Sequence, residues 1–522
     1  MMKISNKLRR LLGLAGKAFI LASWRENCKF SAERGKMKIF NLSGSKKIFC
    51  FLTFSLIVFL AENALCEQPK QRQYWPTSGW QTSTPEQQGM DSAKLMIADE
   101  FIQDRLPDAF SLLVVKNGYL VFEKYYSWGS AEKYAVVHSV TKSVTSALIG
   151  IALDKGYLKN VDQKLIEFFP EYITDESEPG KREIRLKHLL TMSAGYMWND
   201  RGPSMMNWYS SSNWVKSAVQ LPLKDSPGEV FNYNSSTSHL LSIILTKSTK
   251  TSTLDFARKN LFDPLGIQSA FWREDPQGYH IGGFGLGLSA RDLAKIGFLY
   301  LNNGYWNGQS IVSEYWVKES TGQKIQAFRH PLYGTFGYGY QWWVKNIDGC
   351  DSFRAWGRRG QFIVVVPELD LVVAVTSETA QPHPPTTIHY SPLFDLVAAS
   401  VKRNRPLQKP LKAVRLPADV KAFITEYDQA RFNKDAATMA DLIADRFLHN
   451  GVTKQLALRF LKRNLSYTAE AKIIITKFEP KGNEAEVDVW LKDKYFETPF
   501  MIGSKIIKEN THWKWYGNQA PQ

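Results

Sequence analysis

Apolar residues recur at helical spacing through Ser139–Lys155, at Val140, Val144, Ala147, Leu148, Ile151 and Ala152. The run predicts a buried helix that stops at Gly156. Strand-like stretches lie on both sides of it. Ala109–Val114 and Tyr119–Lys124 flank Lys116-Asn117-Gly118, and Asn-Gly suits the two left-handed positions of a type I′ hairpin turn. Phe362–Val366 and Leu371–Val375 are joined by Pro367-Glu368-Leu369-Asp370, with Tyr340–Val344 ahead of them. Leu240–Leu245 and Ser289–Leu301 have the period of further helices. Strands at both ends with helices between them predict an α/β (α+β) architecture, one antiparallel sheet flanked by helices.

The pattern changes after residue 402. Arg403–Leu416 (RNRPLQKPLKAVRL) is basic, punctuated by proline and without an apolar period, so it reads as a linker, taken here as 403–418. Beyond it Asp419–Phe432 and Ala436–Ile443 have helical spacing. Ala471–Phe478, Ala485–Lys492, Lys505–Lys508 and His512–Tyr516 alternate as strands. The expected division is an extension over 1–66, a Gln-, Pro-, Ser- and Thr-rich tail over 67–90, a main domain over 91–402 and a second domain over 419–522. A length of 522 residues accommodates two domains.

Charge alters this picture only at the amino end. The formal net charge is +16, but residues 1–66 hold twelve Lys or Arg against three Asp or Glu. The remainder does not argue for a nucleic-acid partner, and no zinc-finger spacing, P-loop or dinucleotide fingerprint is present. No cofactor is expected. Ile48–Leu60 is an apolar run too short to span a bilayer comfortably. Lys46-Lys47 precede it, and Ala64-Leu65-Cys66 offers a cleavage site, so the stretch reads as a signal peptide starting at Met37. Residues 1–36 then read as an over-extended gene start, or as a basic helix around Leu11–Leu21. The expected product is periplasmic or secreted, begins near Glu67 and keeps no membrane span. Cys350 is its single cysteine, so no internal disulfide is expected.

Ser139-Val140-Thr141-Lys142 stands at the head of the buried helix. Residues three apart share a helix face, roughly 5–6 Å apart at Cβ. An amine there can take the serine proton if burial lowers its pKa. On its own, S-x-x-K also fits an ordinary surface pair. Two more segments follow in order: Phe231-Asn232-Tyr233-Asn234-Ser235-Ser236 ahead of the Leu240 run, and Trp356-Gly357-Arg358-Arg359-Gly360-Gln361 ahead of two strands. Together they resemble the serine β-lactamase-related hydrolases, which use S-x-x-K, then Y-x-N or Y-x-S, then a K-T-G-like triplet on an edge strand. Ile184–Gly195, Gly282–Leu286 with Ser289–Lys295, and Tyr338–Trp343 are similar to other segments of that family. The likeness, to a family that includes the class C β-lactamases, spans about residues 85–405, and its esterase, amidase and 6-aminohexanoate-dimer-hydrolase-like branch looks nearer than true β-lactamases.

The resemblance implies a β-lactamase/transpeptidase-like sheet and hydrolysis of a small ester, amide or peptide through an acyl-enzyme on Ser139. Lys142 would be the base. Tyr233 would move the proton toward the leaving group, helped by neighbouring cationic charge. Ser235 would bond the lysine or the substrate amide, and the N–H groups of Ser139 and Gln361 would form the oxyanion hole. Arg358-Arg359-Gly360 departs from K-T-G: the hydroxyl is missing, an arginine could hold a carboxylate instead, and Gly360 would let the backbone approach substrate. This puts β-lactams in doubt as substrates. Trp198, Trp208, Tyr209, Trp342 and Trp343 suggest an apolar cleft or ordinary core. Residues 419–522 resemble the NTF2-like (SnoaL-like) cone, with Asp441 and His449 as pocket groups or solvated ones. Competing readings are a D-alanyl peptidase or weak β-lactamase of the same fold, a catalytically idle binder of cell-wall fragments, and a carboxy-terminal domain that serves homodimerisation.

Overall fold

The structure, a computed structural model, describes residues 30–33, 36–39, 72–330, 333–377, 387–403, 411–449, 452–468, 470–495, 497–499 and 504–519. The chain divides into two units, Met1–Lys70 and Gln71–Gln522. In the first, Phe30–Glu33 pairs antiparallel with Lys36–Ile39. The apolar run 48–60, the cleavage site at 64–66 and the helix expected around 11–21 lie outside the described residues.

In the second unit the main sheet has eight strands: β1 Ala109–Lys116, β2 Tyr119–Tyr125, β3 Ile325–His330, β4 Gly334–Tyr338, β5 Trp343–Val344, β6 Phe353–Gly357, β7 Gln361–Val366 and β8 Leu371–Ser377. Their order is β3-β4-β5-β6-β7-β8-β1-β2, so the amino-terminal hairpin closes onto the last strand of the domain. Asn117 and Gly118 both have positive φ, 54° and 93°, as the Asn-Gly turn requires.

Helices cover both faces. On one lie α2 Val140–Asp154, α3 Ser235–Thr249 and α4 Ala290–Leu301, and on the other α1 Ser92–Arg105 and α5 Ser391–Ala399. Strand β8 shows why both faces are apolar. Val372 and Ala374 enter the core with α2 and α4, whereas Leu371, Val373 and Val375 enter the core with α1 and α5. Side chains alternate across a strand, so a strand covered twice reads as one continuous apolar run. Each fully buried Val or Leu contributes about 1.5–3 kcal/mol.

Three expectations need correction. Tyr340–Val344 yields only the two-residue β5. Gln341 takes φ 65°, and a β-carbon on Gly339 would lie 2.2 Å from the Ser320 carbonyl oxygen, so the chain turns out of the sheet there. Strands β3, β4 and β6 carry too many polar, glycine and aromatic residues to show a clean alternation. Arg358-Arg359-Gly360 is not on an edge strand: it is the turn of the β6–β7 hairpin, with Gly357 opposite Gln361, in the middle of the sheet.

Residues 72–90, expected as a tail, pack against the main domain. Trp75 and Trp80 join its core, and Arg72 pairs with Asp370 at 2.7 Å. Toward the carboxy terminus, α6 Ala418–Phe432 and Ala436–Asp441 are followed by a helix over Lys454–Thr468 that the sequence reading missed. A five-stranded antiparallel sheet completes this part. Its path is β9 Lys472–Lys481, β10 Glu484–Lys492, β11 Lys505–Glu509 and β12 His512–Trp515, with Glu497–Pro499 against β10. Phe423, Tyr427, Ile443, Val487 and Trp515 form a core of its own. Tyr495 instead belongs to the core with α1 and α5, where it meets Phe101 edge-on, with ring centres 5.2 Å apart, and bonds Asp104. Among the described residues no helix is long and apolar enough to cross a membrane.

Candidate active site

Ser139 is the N-cap of α2, and the residue before it, His138, is held at φ 47°. That left-handed turn for a non-glycine residue marks strain at the head of the helix. Ser139 itself is half-buried, while Lys142, one turn on, is 1% exposed. The Ser139 N–H has no acceptor among the described residues, which leaves it open to an incoming oxygen.

Lys142 Nζ donates to three oxygens: Ser139 Oγ at 3.0 Å, Ser235 Oγ at 3.0 Å and the Gly283 carbonyl at 2.7 Å. An ammonium has three N–H donors, so all are used. Neutral amine has two N–H groups and a lone pair. With Ser235 and Gly283 taking the two protons, the lone pair faces the Ser139 hydroxyl. Burial lowers the Lys142 pKa from 10.5 to about 8, opposed by the Asp200 charge, which raises it. Desolvation outweighs the carboxylate, and the amine becomes available as a base near neutral pH.

Tyr233 closes the other side of the serine. Its ring lies 4.9 Å from Lys142 Nζ, and Trp343 stacks on it with centres 5.7 Å apart. Burial pushes the phenol pKa well up, Asp200 raises it further, and the Ser139 hydrogen bond lowers it without reversing the shift. The expected help from cationic neighbours is therefore outweighed, and Tyr233 is a neutral phenol rather than a phenolate.

Helix α3 is positioned by caps. Asn234 Oδ1 accepts from the N–H groups of Ser236 and Thr237, a reason for asparagine at the middle of Tyr233-Asn234-Ser235. Asp200 Oδ1 accepts from Ser235 N at 2.9 Å and from Trp198 Nε1 at 3.1 Å. Sequence reasoning missed Asp200, because an Asp in a loop carries no periodic or motif signal. It also gave no role to Gly283, although Gly282–Leu286 was singled out. Gln341 was missed as well: it accepts from Ser238 Oγ, donates to the Leu189 and Leu190 carbonyls, and offers its own carbonyl to Ser143 Oγ.

In the third motif it is Gly357 that approaches the head of α2. A β-carbon there would lie 2.4 Å from the Val137 carbonyl oxygen. Gly360, expected to face substrate, instead makes room for the Tyr390 ring, 2.4 Å from where its β-carbon would stand. Arg358 is exposed and Arg359 half-buried in the turn. Burial first, then the charges of Arg359, Arg358, Arg273 and Lys142, hold His138 down to about 4, so that imidazole is neutral and the surroundings of Ser139 are electropositive. Gln361 is buried with its amide on the Ser377 carbonyl.

Of the expected aromatic lining, Trp343 lies at Tyr233, while Trp342 faces the opposite way onto Tyr300, with centres 4.5 Å apart. Trp198 and Trp208 are buried and Tyr209 is exposed. Cys350 is a buried thiol, not part of a disulfide, that accepts from Arg403. Asp441 is exposed, and His449 is half-buried against Ser504 Oγ at 2.9 Å. No group of His, Cys, Asp or Glu among the described residues is arranged to hold a metal ion.

An antiparallel sheet between helical layers, with Ser139 and Lys142 at a helix head facing Tyr233, defines a β-lactamase/transpeptidase-like fold. The chain belongs to the Beta-lactamase family, whose model matches residues 98–395, more than half its length; members of that family are serine hydrolases. It is 24% identical over 256 residues to a Salmonella agona protein described as "Putative D-alanyl-D-alanine carboxypeptidase", covering 44% of this chain and 55% of that one. The chain thus spans about half the length of the curated relatives it matches. Among solved structures it is similar to the octameric penicillin-binding protein homologue of Pyrococcus abyssi, with 19% identity, a TM-score of 0.50, and coverage of 81% of this chain and 95% of that one. EstCE1, a hydrolase with promiscuous acyltransferase activity, is similar at 14% identity and a TM-score of 0.50, over 59% of this chain and 98% of that one.

Proposed function

We propose that the protein is an exported serine hydrolase that cleaves an ester or amide bond through an acyl-enzyme on Ser139. One observation carries the reading: a fully buried lysine, its pKa lowered to about 8, is bonded to Ser139 Oγ at 3.0 Å, with two other oxygens to hold its protons. Lys142 takes the proton as Ser139 Oγ attacks the carbonyl carbon. The neutral Tyr233 phenol delivers a proton to the leaving group, and the lysine reprotonates it. Water then attacks the acyl-enzyme by the same route. The Ser139 N–H is one oxyanion donor. The other comes from the 358–361 turn, where Gln361 is the expected source, and such a donor contributes about 2.7–4 kcal/mol to the transition state.

Arg358 and Arg359, whose charges act on His138 beside the nucleophile, suit a substrate with a carboxylate near the scissile bond. That favours a D-alanyl peptidase as the second reading, in line with the description of the Salmonella agona relative. In this proposal residues 419–522 are an NTF2-like domain that supplies no catalytic group and can pair two copies of the chain.

The test is labelling by a fluorophosphonate followed by peptide mass mapping, beside a screen of p-nitrophenyl esters, short amides, D-Ala-D-Ala peptides and nitrocefin. Label on Ser139, lost in Ser139→Ala, is the expected result. An unlabelled wild type, or an Ser139→Ala variant that keeps a tenth or more of the activity, roughly, overturns the reading.

A further inference from the structure

Residues His280–Gly283 form a strap between α2 and α3, and each of its four carbonyls is taken by a side chain. Ser242 Oγ donates to His280 O at 2.7 Å and Trp272 Nε1 to Ile281 O at 2.9 Å. Thr145 Oγ1 donates to Gly282 O at 3.0 Å and Lys142 Nζ to Gly283 O at 2.7 Å. The strap lies directly on the α3 backbone: β-carbons on Gly282 and Gly283 would stand 2.4 Å from Ser238 O and 2.7 Å from Ser235 O.

The Gly282 N–H points at His239 Nδ1, 3.4 Å away, and His239 Nε2 lies 2.9 Å from Asp275 Oδ2. Both side chains are fully buried. The far oxygen of Asp275 accepts from the N–H groups of Gln277 and Tyr279. This arrangement selects one tautomer. A ring nitrogen that faces an N–H must be the acceptor, so Nδ1 is bare and Nε2 carries the proton that it donates to Asp275. Burial lowers the His239 pKa, consistent with a neutral ring. Trp208 and Trp214 meet the ring in T-shaped contacts. A neutral imidazole on a fully buried Asp275 carboxylate does no proton transfer at Ser139 in this geometry, yet the charge is costly to bury.

We propose that His239 and Asp275 are positioning residues for Lys142, fixing the strap whose Gly283 carbonyl takes one lysine proton and so aims the amine lone pair at Ser139. The inference rests on the reading of Ser139 and Lys142 as the acylating pair. Besides Ser139, Ser235 and Gly283, the titratable groups around Lys142 are Tyr233, Asp200 and His138, and none of them touches the strap's N–H.

Asp275→Asn in the full chain is the discriminating change. Its amide must present N–H either to His239 Nε2, which forces the other tautomer and sets Nδ1–H against the Gly282 N–H, or to the N–H groups of Gln277 and Tyr279. The expected result is a fall in kcat of about tenfold or more with KM within about twofold, because a small misplacement of a reacting group is enough to slow the chemistry. Independently of turnover, the lysine Cε resonance of Lys142 in 13C-labelled protein should titrate at lower pH than in the wild type, since the ammonium loses an acceptor. Lys295→Met, which breaks the buried contacts of that amine with Thr77 O and Gly266 O, should lower the melting temperature and leave both readouts alone. His239→Gln is the second variant if Asp275→Asn does not fold. Wild-type kcat and an unmoved Lys142 titration in a folded variant overturn the proposal. A wild type that takes no fluorophosphonate overturns the hydrolase reading instead, and the resonance titration still judges the strap.

Discussion

Gly357 and Val137 meet so closely that a β-carbon on the glycine would sit 2.4 Å from the valine carbonyl oxygen. This contact joins the end of β6 to the turn before Ser139. Strand and helix head are thereby held together by two backbones with no side chain between them. A glycine is needed there for lack of space, not for its φ range, since Gly357 is not among the residues with positive φ.

Gly357→Ala should therefore push β6 away from the helix head. A displacement near 1 Å costs about 100-fold in rate, so fluorophosphonate acylation should slow on that scale while circular dichroism stays that of the wild type. Acylation at the wild-type rate would show that the helix head does not depend on this contact.

Lys142→Met should abolish acylation without weakening the fold at pH 7. The folded pKa of Lys142 is depressed from 10.5 to about 8. The buried ammonium therefore penalises the wild-type fold fully below about pH 8, and the penalty vanishes as pH rises past the unfolded value. It amounts to about 3 kcal/mol at 1.36 kcal/mol per pKa unit. Methionine removes it but leaves the Gly283 carbonyl unpaired, at a cost of about 1–3 kcal/mol. Melting temperatures measured from pH 6 to 10 check this. A variant that melts well below the wild type at pH 7, or whose relative stability grows with pH, contradicts it.

The acylation rate should rise with pH through about 8, following the neutral fraction of Lys142. His138, held down to about 4, and Tyr233, raised well above its usual value, do not titrate in that window. Stopped-flow acylation with a neutral p-nitrophenyl ester between pH 5 and 10 reads the profile. A flat profile would take the base role from the lysine.

A chain truncated after Lys402 should still acylate Ser139, because Lys142, Tyr233, Ser235 and Gly283 all precede it. It should melt at a lower temperature, since it uncovers the Phe101 face that Tyr495 packs on and leaves Arg105 without Glu470. Mass spectrometry of the labelled protein decides. A folded truncation without adduct, beside a labelled full chain, would place part of the site in the carboxy-terminal residues.

Protein purified from its native host should begin near Glu67, given Lys46-Lys47, the apolar run 48–60 and Ala64-Leu65-Cys66. Amino-terminal sequencing checks it, and an intact Met1 or Met37 rules out export with cleavage.

Local signals made several elements legible in the chain itself. Asn117-Gly118 specifies a hairpin because both residues tolerate positive φ. The Val140–Ala152 period specifies a buried helix, and three-residue spacing alone puts Ser139 and Lys142 on one face. The order of the motifs was enough for the resemblance to the family. Other features were set only by residues far apart in sequence. Whether Lys142 is a base depends on its burial and on Asp200, 58 positions away by residue number, which spacing cannot reveal. Whether Gly357 or Gly360 serves the site depends on which of them meets Val137 and which meets Tyr390. Ala457 and Leu461 of the Lys454–Thr468 helix join the core of the carboxy-terminal residues, and Tyr333 from the β3–β4 turn packs against it, where no short motif announces the partner. Periodicity and turn chemistry act over a few residues and are written in the chain. Desolvation, charge and close approach act through space, and only the folded protein decides them.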